Sequence, residues 1–167
     1  MNNLNNNSYG KIQFIQINLN NCVNATNLLI QNMREQDIDV ALIQEPYCAD
    51  KCVSCVPTDF QVIQLMDRPK AAIIVNPKRV KVMPLIRHTT LSQAWALLNF
   101  NHIDIHMCSA YMAPSEDIIT SLNDLEFTIN ELKPQTLIIS SDTNAKSKQW
   151  FSRCDNRRGY EVIDLYK

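Results

Sequence analysis

The chain reads as an α+β domain, helices packed on sheets, and three features lead there. It opens with a β–α–β passage, runs through a series of closely spaced strand-like segments, and closes with an α–β–α passage. Its 167 residues are 46% hydrophobic, enough for one domain with a substantial core. No run comes near the ~18 consecutive apolar residues that a membrane span needs, so a soluble, intracellular protein is expected.

The elements follow in order. Residues 1–9 (MNNLNNNSY) are Asn-rich and are expected to form a disordered tail before a domain spanning 10–167. The segment KIQFIQIN, with Ile12, Phe14, Ile15 and Ile17, has strand character. Ala25, Leu28, Leu29 and Met33 then fall on one face of a helix. Ile38 to Gln44 (IDVALIQ) is a continuous apolar run, as in a strand covered on both faces, and Pro46 stops it. A loop over 46–59 follows. FQVIQLM, AAIIVN, RVKVMPLI, QAWALLNF and HIDIHMCSAYM come next, with short connections at Asn76-Pro77-Lys78 and around Asn101. Such spacing predicts an antiparallel meander. Pro114-Ser115 with Glu116 and Asp117 reads as a helix start, capped and with acids in the first turn. Ile118, Leu122, Leu125, Ile129 and Leu132 repeat every four or three residues and predict an amphipathic helix. TLIISS (136–141) reads as a further buried strand, and RRGYEVIDLY as the start of another helix.

Sixteen basic residues against seventeen acidic ones give a net charge of −1. The basic excess common in duplex-DNA binders is absent, so any nucleic-acid binding must rest on local geometry and metal. Two glycines leave few positions where φ > 0 is inexpensive. Six cysteines without a secretory signal are expected as reduced thiols. Three of them, Cys48, Cys52 and Cys55, have C-x₃-C-x₂-C spacing. That pattern can serve an iron–sulfur cluster or part of a zinc site, but zinc needs a fourth ligand and loop thiols are the better reading.

Polar groups interrupt apolar strand ends at Asn18 (QINLN), Glu45 (LIQEP), and Asp142 with Asn144 (SSDTN). A carboxylate ending a buried strand needs a partner, and a divalent cation is one. Strand C-termini are also where open α/β sheets place ligands. Taken singly, each residue is more readily explained as a solvated strand end or a turn cap.

Their joint order resembles the endonuclease/exonuclease/phosphatase superfamily, and within it the endonuclease domain of non-long-terminal-repeat retrotransposons. The likeness runs through IQINLNNCVNATNLL, ALIQEPY, SAYMAP, SDTNAKSKQW and DNRRG, over nearly the whole chain. It implies a four-layer α/β/β/α sandwich. It also implies Mg²⁺ (or Mn²⁺) held by Glu45, Asp142 orienting or deprotonating the attacking water, Asn144 and Asn18 donating amide hydrogens, and Tyr111 contacting a phosphate oxygen. Lys146, Arg157 and Arg158, in a basic stretch that includes Trp150 and Phe151, are candidate substrate-binding residues; a solvated helix face with a core Trp fits them equally well. The activity implied is phosphodiester hydrolysis in DNA, the nick priming reverse transcription at the target. The partners implied are DNA and a reverse transcriptase domain on a larger polyprotein, with no membrane, and a working element would act in the nucleus.

The sequence departs from the family pattern in three places. Asn20 stands where members with two early acidic groups carry Asp. Ser141, not Gly, precedes Asp142. No Ser-Asp-His occurs, and His88, His102 and His106 all lie in the predicted meander. Against usual domain sizes the chain is expected to cover roughly two-thirds to three-quarters of such a domain, with sheet edges and apolar surface left open. Two readings therefore stand: a Mg²⁺-dependent endonuclease, or a non-catalytic remnant or interaction module derived from one. A related hydrolase of lipid or nucleotide phosphates is a third, against which NLNNC, QEPY and NAKS argue.

Overall fold

A computed structural model describes residues 10–165; the expected 1–9 tail lies outside them. The elements are β1 (Phe14–Asn18), α1 (Val23–Glu35), β2 (Val40–Gln44), β3 (Cys48–Ala49), β4 (Cys52–Val53), β5 (Gln61–Ile63) and β6 (Ala71–Val75). They continue with β7 (Val82–Pro84), β8 (Gln93–Phe100), β9 (Ile103–Tyr111), α2 (Ile118–Leu132), β10 (Thr136–Asp142) and α3 (Arg157–Leu165). Two four-stranded sheets are formed, in the orders β1-β2-β6-β5 and β10-β9-β8-β7.

The pleat decides which residues face which layer. In β2, Val40 and Leu42 pack with Ile73, Val75, Ala94, Ala96, Leu98 and Met107 in a dry layer between the sheets. Ala41 and Ile43, pointing the other way, pack against Leu29, Ile30 and Met33 of α1. On the outer face of the second sheet, Trp95, Cys108 and Ala110 meet Ile118, Leu122 and Leu125 of α2 and Val162 of α3. The result is a four-layer α/β/β/α sandwich, as the resemblance implied. Helix α1 buries Thr26, Leu29, Ile30 and Met33, one stripe at helical spacing. Among the described residues no helix is long and apolar enough to cross a membrane.

Several expectations are corrected. The run of antiparallel strands is not one meander: β5 and β6 pair in the first sheet, whereas β7, β8 and β9 pair in the second. The Asn76-Pro77-Lys78 connection carries the chain across the sandwich. The 46–59 loop contains the small β3–β4 hairpin. RVKVMPLI supplies only Val82–Pro84 as strand and then a 3-10 turn at Ile86–His88. The N-cap of α2 is Asp117, whose side chain accepts from the Ile119 amide, so the acids precede the helix rather than occupying its first turn. β10 is half-buried along its whole length because it pairs with β9 on one side only. Finally, the left-handed positions fall on other residue types than glycine: among the described residues neither glycine has φ > 0, whereas Asn20, Asn21, Glu45 and Asn144 all do. Asn tolerates that region through its short polar side chain.

Candidate active site

The parallel pair β1–β2 ends with Asn18 opposite Gln44, and the parallel pair β9–β10 ends with Tyr111 opposite Asp142. Both pairs point their C-terminal ends the same way. Packing the sheets face to face therefore gathers Asn18, Glu45, Tyr111, Asp142 and Asn144 at one rim.

Asn18 joins the two sheets. Its Oδ1 accepts from the backbone N–H of Asn20 at 2.8 Å, which fixes the amide orientation and leaves Nδ2 toward the carboxylates. Nδ2 donates to Oδ2 of Asp142 at 2.7 Å and to Oε1 of Glu45 at 3.3 Å. The other Asp142 oxygen accepts from the Asn144 backbone N–H at 3.1 Å, and Asn144 Nδ2 donates to the Met112 carbonyl at 3.3 Å. Each carboxylate oxygen of Asp142 keeps a lone pair for water.

Glu45 leaves the sheet with φ of 45° directly before Pro46. A non-glycine residue held there is strained by about 1–3 kcal/mol, and such strain persists only where neighbours over-determine it. Here they do: the Glu45 N–H donates to the Lys70 carbonyl, and its own carbonyl accepts from Asn21, both at 2.8 Å. The strained turn re-aims the carboxylate from the sheet plane into a cleft of about 560 Å³ lined by Asn21, Glu45, Tyr47, Cys48, Arg68, Pro69, Lys70 and Tyr111.

Tyr111 is 9% exposed. Burial, a hydrogen bond to Glu45, and the charges of Glu45 and Asp142 push its phenol up to about 12, opposed by a hydrogen bond with Asn144. At neutral pH it is a neutral donor.

The donor set suits a hard cation only in one way. Glu45 receives two long amide contacts, from Asn18 at 3.3 Å and Asn21 at 3.2 Å, and the Tyr111 hydroxyl, which together still leave lone pairs on its two oxygens. Among the described residues no group of three or more His, Cys, Asp or Glu side chains is placed to hold a metal. An ion bound by one or two carboxylates that keeps most of its water, as Mg²⁺ does, fits this set.

Under the rim lies a second polar layer that the sequence reading did not single out. Gln44, fully buried, accepts from Gln16 at 2.7 Å and donates to Ser109 Oγ at 2.9 Å and to the Ser140 carbonyl at 3.2 Å. Ser109 in turn donates to the Ile43 carbonyl at 2.8 Å. Gln16, Ser109 and Ser140 each sit two residues before a rim residue (Asn18, Tyr111, Asp142), on the same strand face. A Gln and a Ser inside otherwise apolar runs were the available signal. Asn21, which contacts Glu45, was also missed, next to the Asn20 that the motif comparison singled out.

The basic stretch divides. Lys146 is exposed on the loop after Asp142, its backbone N–H donating to Asn156 Oδ1 at 2.9 Å. Arg157 is exposed and lies 3.7 Å from Glu161. Arg158 faces inward, its guanidinium donating to the carbonyls of Thr143, Met112 and Glu116 at 2.8–3.3 Å. No histidine joins the rim: His88 lies 3.5 Å from Glu131, His102 is in the β8–β9 turn, and His106 sits five residues up β9 from Tyr111, about 16 Å away at strand rise. Among the cysteines, Cys48 Sγ contacts the carbonyls of Pro46 and Pro69, while Cys55 is exposed.

Residues 105–167 match the model of a family described as endonuclease–reverse transcriptase. A solved structure, the endonuclease domain of TRAS1, a telomere-specific non-LTR retrotransposon, superposes with a TM-score of 0.80 at 25% identity, over 93% of this chain and 69% of that one. Together these likenesses support a place in the endonuclease/exonuclease/phosphatase superfamily, near its retrotransposon endonuclease branch. A putative 115 kDa protein of the type-1 retrotransposable element R1DM of Drosophila melanogaster is 27% identical over 140 residues, 84% of this chain. The chain spans only 14% of that relative's length. An AP endonuclease from Archaeoglobus fulgidus shares the fold at a TM-score of 0.55 and 12% identity, over 93% of this chain and 69% of that one. In this fold Glu45, Asp142, Asn144, Asn18 and Tyr111, picked from the motif order, lie together at one rim of the sandwich.

Proposed function

We propose that the rim hydrolyses a phosphodiester of DNA with one Mg²⁺ (Mn²⁺ as a substitute) held at Glu45, nicking target DNA for insertion by target-primed reverse transcription. The observation that carries this reading is the linkage of Asp142, through the Asn18 amide, to Glu45 in the other sheet. It places a candidate water-orienting carboxylate beside a candidate metal carboxylate, without direct contact between the two charges. The cation, when bound, would stabilise charge building on the non-bridging oxygens. Asp142 would align the water for in-line attack. Asn144 and the neutral Tyr111 phenol would donate to phosphate oxygens, where preorganised donors act most strongly. Lys146 and Arg157, both exposed, would contact backbone phosphates, while Arg158 braces the loop after Asp142. DNA as partner, a reverse transcriptase domain on the longer polyprotein and a nuclear site of action belong to the same proposal.

The second reading is a non-catalytic remnant or interaction module with the same fold, which would leave DNA uncut. The test is nicking of supercoiled plasmid in Mg²⁺, with circular dichroism as the folding control. Loss of nicking in folded Glu45→Ala and Asp142→Ala is expected if the rim is catalytic. Nicking retained by Glu45→Ala would sink the metal assignment; a folded parent chain that leaves DNA uncut would establish the second reading.

A further inference from the structure

The cleft beside Glu45 has a cationic wall that the rim chemistry does not use. Arg68 and Lys70 line it together with Asn21, Tyr47 and Tyr111. Arg68 is exposed, and among the described residues its side chain has no ion pair. Lys70 lies 3.5 Å from Glu116, with both side chains about half exposed (47% and 49%). Such a pair contributes little and exchanges easily for another anion. Lys70 Nζ also stands 6.0 Å from the Tyr111 ring centroid, over the residue that donates to Glu45.

The segment that presents these cations is held in place. Asp67 and Arg68 are both left-handed, with φ of 88° and 60°. Their backbone N–H groups both donate to the Lys51 carbonyl, at 2.8 and 2.9 Å, which ties the segment to the β3–β4 hairpin. Cys48 Sγ bridges the same hairpin to Pro46 and Pro69. The hairpin thus acts as a bracket between the Glu45 turn and the Arg68–Lys70 segment, which gives the first cysteine of the C-x₃-C-x₂-C run a structural task.

We infer that Arg68 and Lys70 form a second anion site, which holds a backbone phosphate of the DNA strand next to the phosphate being cut. The inference rests on the nuclease reading above. The chain's net charge of −1 supplies no general attraction for a polyanion, so backbone binding must come from local cations. The cleft, at about 560 Å³, has room for a nucleotide unit with its water. Arg supplies a planar fork suited to a phosphate, and Lys a mobile point charge.

The experiment is fluorescence anisotropy of a labelled duplex across a KCl series, with Ca²⁺ in place of Mg²⁺, alongside plasmid nicking in Mg²⁺. Each phosphate contact contributes about 0.9 to the slope of log affinity against log salt. Arg68→Ala/Lys70→Ala, which removes the one phosphate contact, should lower that slope by about 1, and Arg68→Ala alone by less. Weakening should be similar for unrelated DNA sequences. Lys11→Ala/Lys81→Ala removes the same charge at the opposite end of the sandwich, where both residues line another groove, and should leave the slope unchanged. An unchanged slope in the Arg68/Lys70 variant, or an equal fall in the Lys11/Lys81 control, overturns the inference. If the parent nicks DNA while the Arg68/Lys70 slope stays put, the inference falls alone. If the parent neither nicks nor binds DNA, it falls together with the nuclease reading.

Discussion

Tyr111 shows how one side chain's surroundings set its chemistry. Its hydroxyl faces two carboxylates, so ionising it would place a third negative charge in the cluster; this and burial hold the phenol protonated to about 12. Tyr111→Phe keeps the ring and removes the donor, and should lower the nicking rate about 10²-fold if the hydroxyl contacts the reacting phosphate. Stability has a defined sign as well. The folded-state value lies above the ordinary 10.0, so this contribution is complete below pH 10 and is lost as pH rises through about 12. In metal-free buffer the urea midpoint of the parent should therefore fall relative to Tyr111→Phe between about pH 10 and about pH 12. A constant difference would show that the phenol is not raised. The motif order brought Asn18, Glu45, Tyr111, Asp142 and Asn144 within reach because each closes a strand at the same end of the sandwich. Asn21, Arg68 and Lys70 were not readable that way. They reach the cleft through turns whose left-handed residues are Asn, Asp and Arg, and through contacts between segments distant in the chain.

Among the elements, α3 and the loop after β10 hold each other. Asn156 Oδ1 accepts from the N–H groups of Lys146 and Gly159, at 2.9 and 2.8 Å, and Arg158 clamps the Thr143 and Met112 carbonyls from the same helix turn. Asp155 adds to this: the Lys148 N–H and Ser147 hydroxyl hold its carboxyl below the usual range. Gly159 is needed for closeness, not for an unusual φ. A Cβ there would lie 2.1 Å from the Lys146 carbonyl oxygen, a backbone atom that cannot rotate away. Gly159→Ala should thus push the Asp142–Lys146 loop outward and cost about 1–3 kcal/mol, a fall in Tm of roughly 3–10 °C. Metal affinity at Glu45, in the other sheet, should change little by calorimetry while nicking falls. An unchanged Tm would contradict the packing argument. Helices α1 and α2 were readable from apolar spacing, and α3 in outline from RRGYEVIDLY. The reason for its glycine was not, since it depends on a loop that returns from another strand.

At the scale of the whole molecule, a polar crosslink crosses the apolar middle of the sandwich. Sequence patterns recovered the strands but not their division between sheets: AAIIV is buried on both faces and carries no mark of which neighbour it pairs with. Strand length and turn spacing look the same whether the chain stays in one sheet or crosses to the other, and at Asn76–Lys78 it crosses. Gln44 ties the sheets together just below the rim, on the face of β2 that continues Val40 and Leu42 toward the second sheet. Replacing it with Met keeps the volume but leaves the Ser140 carbonyl and the Ser109 hydroxyl without a donor. Leaving buried groups unsatisfied should cost on the order of 2–3 kcal/mol. Unfolding should remain a single transition, because the apolar layer between the sheets is intact. The rim should be affected beyond stability, since Gln44 contacts the strands of Asn18, Tyr111 and Asp142 two residues before each of them. At a temperature where Gln44→Met is fully folded, kcat for nicking should fall with little change in KM for DNA, and Gln44→Glu, which restores an acceptor but only one donor at most, should recover only part of it. A variant destabilised to this extent yet with parental kcat would show that the crosslink supports the fold alone and leaves the rim geometry to Asn18.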